Sequence, residues 1–183
     1  MPEDHADAFL LEQFREPATR ELGYTAIVKK YQQKLYWHIR RMVADHDDAN
    51  DVLQNVFIKV WKALDNFRED ARLFTWLYRI ATNESLSQIA QKKKKGLVPF
   101  EDMQENLSQT VRADEHFDGS KLEWKLQLAV QQLPEKQRAV FSLRYFEEMP
   151  YAEMSLILGT SEGGLKASYH HAVKKIEDFI LNH

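Results

Sequence analysis

The sequence contains no cysteine. That excludes a disulfide framework and a thiolate metal site, and it fits a reducing compartment. No run of about 18 apolar residues occurs, so no membrane-spanning helix is expected. The opening decapeptide MPEDHADAFL is acidic and does not read as a basic, then apolar, leader. Helix breakers are scarce: between residues 10 and 94 the only glycine is Gly23 and the only proline is Pro17. A stretch that poor in both reads as helices joined by short turns. Strand-like alternation and internal repeats are also missing, so an all-α fold is expected. Positive charge is not in excess either. Twenty-five Lys and Arg stand against 28 Asp and Glu, a formal net charge of −3, and a protein that holds a polyanion unaided is usually basic.

What is present looks globular. Hydrophobic residues make up 44% and charged residues 29% of the 183, ordinary for a packed domain, and the length allows one or two small ones. Helical periodicity occupies residues 10–94 and returns over 121–183. Between them lies GLVPFEDMQENLSQTVRADEHFDGS (96–120), where periodicity is weak. Six acidic residues there face Arg112 alone. Residues 95–120 read as an acidic linker between two helical domains.

The second block ends in LPEKQRAVFSLRYFEEMPYAEMSLILGTSEGGLKASYHHAVKKIEDFI (133–180). Pro134 and Pro150 sit at helix starts. Tyr151 to Leu158 and Glu162 to Ile180 are amphipathic and flank a tight Gly159-Thr160-Ser161 joint, with Gly159 suited to a left-handed cap and Ser161 to an N-cap. This is the outline of a helix-turn-helix, whose second helix enters the DNA major groove. On that helix Leu165, Tyr169, Ala172, Val173, Ile176 and Ile180 face inward. Gly163, Lys166, Ala167, His170, His171 and Lys174 face outward. The bland alternative is a plain helical hairpin. A metal site at the two histidines is not expected, because adjacent residues do not share a helix face and no third ligand is evident.

In the first block Val52, Val56, Phe57, Val60, Trp61 and Leu64 form one apolar stripe, while Asp51, Gln54, Asn55, Lys59 and Lys62 face elsewhere; the bland reading of that outer face is a solvated surface. The next helix, roughly Arg72 to Lys93, carries Arg72, Trp76, Arg79 and Asn83 at i, i+4, i+7 and i+11, opposite Leu73, Leu77, Ile80 and Ala81. Cations on that arc suit phosphates and an aromatic suits an unstacked base. Equally, Trp76 can be half-buried core and Lys92 to Lys95 a solubilising end. Phe67, on the short polar connection DNFREDA, either plugs the core or is presented to a ligand.

Two of these blocks resemble a known family. DDANDVLQNVFIKVWKALDNF followed by LFTWLYRIATNESL is similar to the second conserved region of bacterial sigma factors, and the segment from Leu133 resembles their fourth region. Two blocks joined by a short linker resemble the extracytoplasmic-function group. The resemblance implies an all-α protein of two domains, sigma region 2 (10–94) and sigma region 4 (121–183). It implies that the helix through Asp48, Asp51, Val52, Gln54, Asn55, Phe57, Ile58 and Trp61 docks on the beta-prime clamp helices of core RNA polymerase, with the beta subunit a further contact. Asn66, Phe67, Arg68, Arg72, Thr75, Trp76, Arg79 and Asn83 would engage the promoter minus-ten element and capture an unstacked base. Ser161, Glu162, Gly163, Lys166, Ala167, His170, His171 and Lys174 would meet the minus-thirty-five element. The acidic linker would thread polymerase channels that later hold RNA. An anti-sigma factor, a cytoplasmic location and no direct membrane insertion complete the expectation; cofactors and catalytic residues are not expected. The family's usual Thr-Val-Lys run at the start of the recognition helix is replaced by Gly164-Leu165-Lys166, and arginines common at the positions of Ser168 and His171 are missing.

Two rival classes remain open on sequence. One is a conventional helix-turn-helix regulator acting without polymerase, disfavoured by the net charge. The other is a helical enzyme, for which Asp47, Asp48, Asp51 and the histidines supply no recognisable set of nucleophile, base and orienting group.

Overall fold

The computed structural model describes residues 2–96 and 121–182; most of the linker lies outside the described residues. Among the described residues there are eight α-helices, one 3-10 turn and no strand. The helices are α1 (Pro2–Arg15), α2 (Arg20–Val43), α3 (His46–Ala63), α4 (Leu73–Lys94), α5 (Lys121–Gln132), α6 (Glu135–Tyr145), α7 (Tyr151–Leu158) and α8 (Glu162–Asn182).

Local chemistry sets the helix ends. Ala44 closes α2 in the left-handed region at φ 67°, and Asp45 then opens α3 by accepting the Asp48 N–H at 2.9 Å. This two-residue joint folds α3 back along α2. Gly23 sits inside α2, where glycine costs about 1 kcal/mol against alanine. A Cβ there would lie 2.5 Å from the Phe14 backbone nitrogen, so the glycine is what lets α1 and α2 touch. Asp7 pins the pair further by accepting from Lys30 Nζ and Tyr31 Oη, each at 2.7 Å. Helix α1 begins ahead of residue 10, where the periodic block was expected to start.

The four N-terminal helices enclose Phe14, Ile27, Leu35, Ile39, Val56, Val60 and Leu77. That apolar cluster does not stop at the domain boundary. It continues through Leu143, Met149, Met154 and Ile157 of the second block. A smaller cluster of Ala129, Val130, Leu133, Phe141, Ala172 and Ile176 belongs to the second block alone. Helix α2 therefore packs on α5 and α6, and α4 packs on α7.

Polar contacts reinforce this junction. Buried Arg138 donates to Met42 O at 2.6 Å, Gln131 O at 2.8 Å and Leu133 O at 3.1 Å, while Gln131 Nε2 donates to Arg41 O at 2.7 Å. Carbonyls at the end of α2 that a helix leaves unpaired are thus satisfied by the second domain. Burial lowers the Arg138 pKa to about 10; three carbonyl acceptors balance the lost hydration.

Candidate nucleic-acid interface

The connection between α3 and α4 is held from both ends. The 3-10 turn Leu64–Asn66 is closed by the Phe67 N–H donating to Leu64 O. Asp65 receives both terminal nitrogens of Arg20, with Nη1 at 2.8 Å, which holds its carboxyl below the usual range. Arg20 in turn lies over the rings of Phe14 and Trp61, 4.1 and 5.1 Å from their centroids. The loop leaves this anchor through Glu69, whose φ is 60° and whose carboxylate pairs with Arg15 at 2.6 Å.

Phe67 plugs the core. It is 7% exposed, and its ring packs 5.1 Å from that of Trp76. The reason is energetic: burying a phenyl ring stabilises by about 1.5–3 kcal/mol, and the loop is short enough to turn it inward. Trp76 is half-buried, with one side against the apolar cluster. Arg72, Arg79, Asn83, Asn66 and Arg68 are exposed, and Thr75 is 2% exposed. A pocket of about 290 Å³ is lined by Asn66, Phe67, Arg68, Thr75, Trp76 and Arg79, together with Asp70, Ala71 and Leu156. Six of the eight residues expected at the minus-ten element thus line one concavity; Arg72 and Asn83 lie outside its lining.

Leu156 was not legible as part of this site. It comes from α7, some eighty positions along the chain, and the only cue was a leucine off the apolar set Tyr151, Met154, Ile157 and Leu158. Glu153 was missed for the same reason. It accepts from Thr75 Oγ1 at 2.6 Å and from Arg72 Nη1 at 3.3 Å.

The expected docking helix α3 presents Asp51, Gln54, Asn55 and Ile58 to solvent along one stripe, with Trp61 at its edge. Phe57 is half-buried and Val52 is core. Asp48, expected among the docking residues, is 8% exposed and spent internally: Lys92 and Gln88 Nε2 of α4 donate to its carboxylate. Burial explains the change, because a carboxylate taken out of water needs a partner. Lys93 pairs with Glu135, so two of the four lysines at the end of α4 are brackets rather than a free basic patch.

Helix α8, the expected recognition helix, starts as its sequence suggests. Gly159 adopts φ 62°, ψ 29°, and Ser161 Oγ accepts the Gly164 N–H at 3.2 Å. Ser161, Glu162, Gly163, Lys166, Ala167, His170, His171 and Lys174 are all exposed, and Leu165, Ala172 and Ile176 are buried behind them. Two lysines against one glutamate make this a weakly basic face. A Cβ at Gly163 would meet open space, whereas one at Gly164 would come within 3.1 Å of Thr160 Cγ2. Among the described residues no group of three His, Cys, Asp or Glu is placed to hold a metal ion, and no helix is long and apolar enough to cross a membrane.

Comparison with known proteins bears on the same two blocks. Residues 27–95 match the family model "Sigma-70 region 2" and residues 123–176 match "Sigma-70, region 4". The chain is 30% identical over 171 residues to the RNA polymerase sigma-H factor of Pseudomonas aeruginosa, covering 85% of this chain and 84% of that one. It is 28% identical over 159 residues to the ECF RNA polymerase sigma factor SigW of Bacillus subtilis, covering 81% and 83%. Among solved structures, CnrH bound to the cytosolic domain of CnrY superimposes with a TM-score of 0.70 at 20% identity, covering 96% of this chain and 97% of that one. The sigma factor RpoE of Bartonella quintana, bound to the anti-sigma factor NepR, gives a TM-score of 0.68 at 19% identity, covering 86% and 96%.

Proposed function

The chain belongs to the extracytoplasmic-function family of RNA polymerase sigma factors, and from that premise we propose that three of its surfaces act in turn on polymerase and promoter DNA. As a sigma factor it is a transcription initiation factor and not an enzyme. The rival reading as a stand-alone helix-turn-helix regulator is not favoured, since region 2 accounts for the first block as region 4 does for the second.

The outer stripe of α3, Asp51, Gln54, Asn55 and Ile58 with Trp61, engages the beta-prime clamp helices of core polymerase. Asp48 and Val52 hold that stripe in place from beneath. The exposed face of α8 meets the minus-thirty-five duplex and the pocket at the head of α4 meets the minus-ten element. A base cannot be read by its Watson–Crick edge while it is paired and stacked. Extruding it costs a few kcal/mol, and stacking on an aromatic returns about 1–3 kcal/mol per base. Trp76 supplies that face, Arg68 and Arg79 supply positive charge for the phosphates, and Asn66 supplies polar atoms for a base edge. The acidic linker passes through channels that later hold RNA.

The observation that carries this reading is the convergence of six minus-ten residues on one pocket. The weak charge of the chain supports it too: polymerase supplies most of the binding free energy, so promoters are not occupied by the sigma factor alone. Because CnrH and RpoE are solved with CnrY and NepR, we extend to this chain an anti-sigma partner, and we place it in the cytoplasm, where polymerase works.

The test is to mix the protein with core polymerase and assay initiation on promoter fragments. Tight duplex binding by the chain alone, without core binding or initiation, would overturn the reading. The docking stripe is tested separately by Asp51→Arg, which should slow association and weaken core binding about tenfold, a change of about 1.4 kcal/mol, while leaving helix content intact. Unchanged core affinity would remove Asp51 from the interface.

A further inference from the structure

We propose that the corner between α1 and α2 shapes the base-receiving loop, with Arg15 and Arg20 as its positioning residues. This role rests on the reading of the pocket as the minus-ten site and names what holds that pocket ready. Both arginines lie ahead of residues 27–95, which match sigma region 2, so that match gives them no role.

The loop between Phe67 and Leu73 has little of its own to hold it. Its two ends are core side chains, 7% and 3% exposed, whereas Arg68, Glu69 and Asp70 between them are exposed. The nearest backbone bonds flank it: the Phe67 N–H donates to Leu64 O and the Trp76 N–H to Arg72 O. Glu69 takes φ 60° without being glycine, a conformation that persists only where the surroundings impose it. Arg68, Asp70 and Ala71 nevertheless line the pocket, so the shape of this loop is the shape of one wall.

The corner supplies what the loop lacks. Phe14 is fully buried. Thr19 Oγ1 donates to Gln13 O at 2.9 Å, and the Gly23 N–H donates to Thr19 O at 2.9 Å. The corner is thus a rigid platform. From it Arg20 grips Asp65, immediately before Asn66 of the pocket, with both terminal nitrogens. Arg15 grips Glu69 at 2.6 Å. Arg20 also lies over the rings of Phe14 and Trp61, and a planar guanidinium set in this way loses little freedom on making its fork of bonds. The two pairs bracket Asn66, Phe67 and Arg68. An exposed ion pair adds little to global stability but up to about fivefold to an equilibrium, enough to bias a loop that is exposed between its ends. A receiver assembled only part of the time binds more weakly by that fraction.

The test uses the full chain with core polymerase and a promoter library randomised across the minus-ten element. Sequencing the templates that initiate gives the base preference at each position. Because Arg20 also covers Trp61 at the edge of the docking stripe, the loop side of each pair is changed. Asp65→Asn should lower initiation by up to about fivefold, and adding Glu69→Gln should bring the loss to about tenfold. Base preference should flatten in step, while core affinity stays unchanged. The unfolding midpoint should move by less than about 4 °C per pair. Arg15→Glu alone should act as Glu69→Gln does. The swap Arg15→Glu with Glu69→Arg should restore the preference, which a general gain in DNA affinity from the added cation would not do. Unchanged base preference in the doubly altered chain would overturn the positioning role and leave the minus-ten site standing. Core affinity that falls along with initiation would overturn it in favour of a docking role. A parent chain that initiates with no minus-ten preference would overturn the site and its positioning residues together.

Discussion

The two surfaces proposed to meet DNA are built on opposite plans. The minus-ten face is rooted in the core: Phe67 and Thr75 are buried, Trp76 is half-buried, and Leu77 behind them is fully enclosed. The recognition helix is mounted on its core. All eight of its expected contact residues are exposed, and Leu165, Ala172 and Ile176 beneath take no part in them. The difference matches the substrates. A duplex groove can be met by a rigid surface of side chains, whereas an unstacked base needs a concave, partly apolar receiver, and such a receiver has to be cut into a core. On the proposed reading, side chains in the first surface serve folding and recognition together, and those in the second serve recognition alone.

The sharpest way to break this contrast is Leu77→Ala. It should destabilise the chain by about 2–5 kcal/mol, as enclosed leucines do, and it should also impair initiation, although Leu77 is buried and does not line the pocket. Thermal unfolding and initiation assays should fall together; full activity in a destabilised chain would show the pocket to be independent of its core. Next comes Trp76→Ala. Losing one stacking face costs about 1–3 kcal/mol, so open-complex formation should drop about tenfold to a hundredfold, while Trp76→Phe should recover much of it. Equal activity of the alanine variant would remove Trp76 from base capture.

The pH dependence of stability is expected to reside in the first domain. His38 is fully buried, has Thr82 Oγ1 as its hydrogen-bond partner among the described residues, and lies 5.0 Å from the Tyr78 ring. Burial, with the nearby Arg41 charge, lowers its pKa from 6.5 to about 3. The unfolded chain then binds a proton below 6.5 that the folded chain refuses until about 3, so stability is complete above that window and is lost as pH falls through it. Unfolding midpoints measured across the window should slope downward, and His38→Leu should flatten the slope. The smallest effect is expected at Lys174→Ala on the mounted surface. Stability should stay within about 0.5 kcal/mol, while the salt dependence of minus-thirty-five binding should lose about 0.9 in its log–log slope. A clear drop in stability would mean that this surface, too, is rooted.

Much was legible from local pattern. Tyr151 to Leu158 was bounded by Pro150 and Gly159, and the helix there has those limits. The inward and outward sets of α8 followed from a period of 3.6 residues because nothing covers the outer face. Helical spacing also brought Trp76 and Arg79 under suspicion, and the loop drew attention to Phe67, while Asn66, Arg68 and Thr75 were reached through the resemblance to sigma region 2. Local pattern failed where a partner came from far along the chain. Asp48 was expected to dock on polymerase, and only the fold brings Lys92 and Gln88 beside it. Phe67 could not be assigned to core or surface without knowing that Trp76 would receive its ring.

The amino-acid sequence by itself determined the helices, their caps, the two blocks and the family to which they belong, because spacing, capping and breakers act over a few residues. Only the tertiary structure decided which charges are free. Lys92, Lys93, Arg41 and Arg72 have carboxylate partners more than forty positions away, and the meeting of the two domains brings Glu153 and Leu156 beside the residues proposed for the minus-ten element. Ion pairs and apolar contacts depend on distance in space, which a linear pattern does not contain.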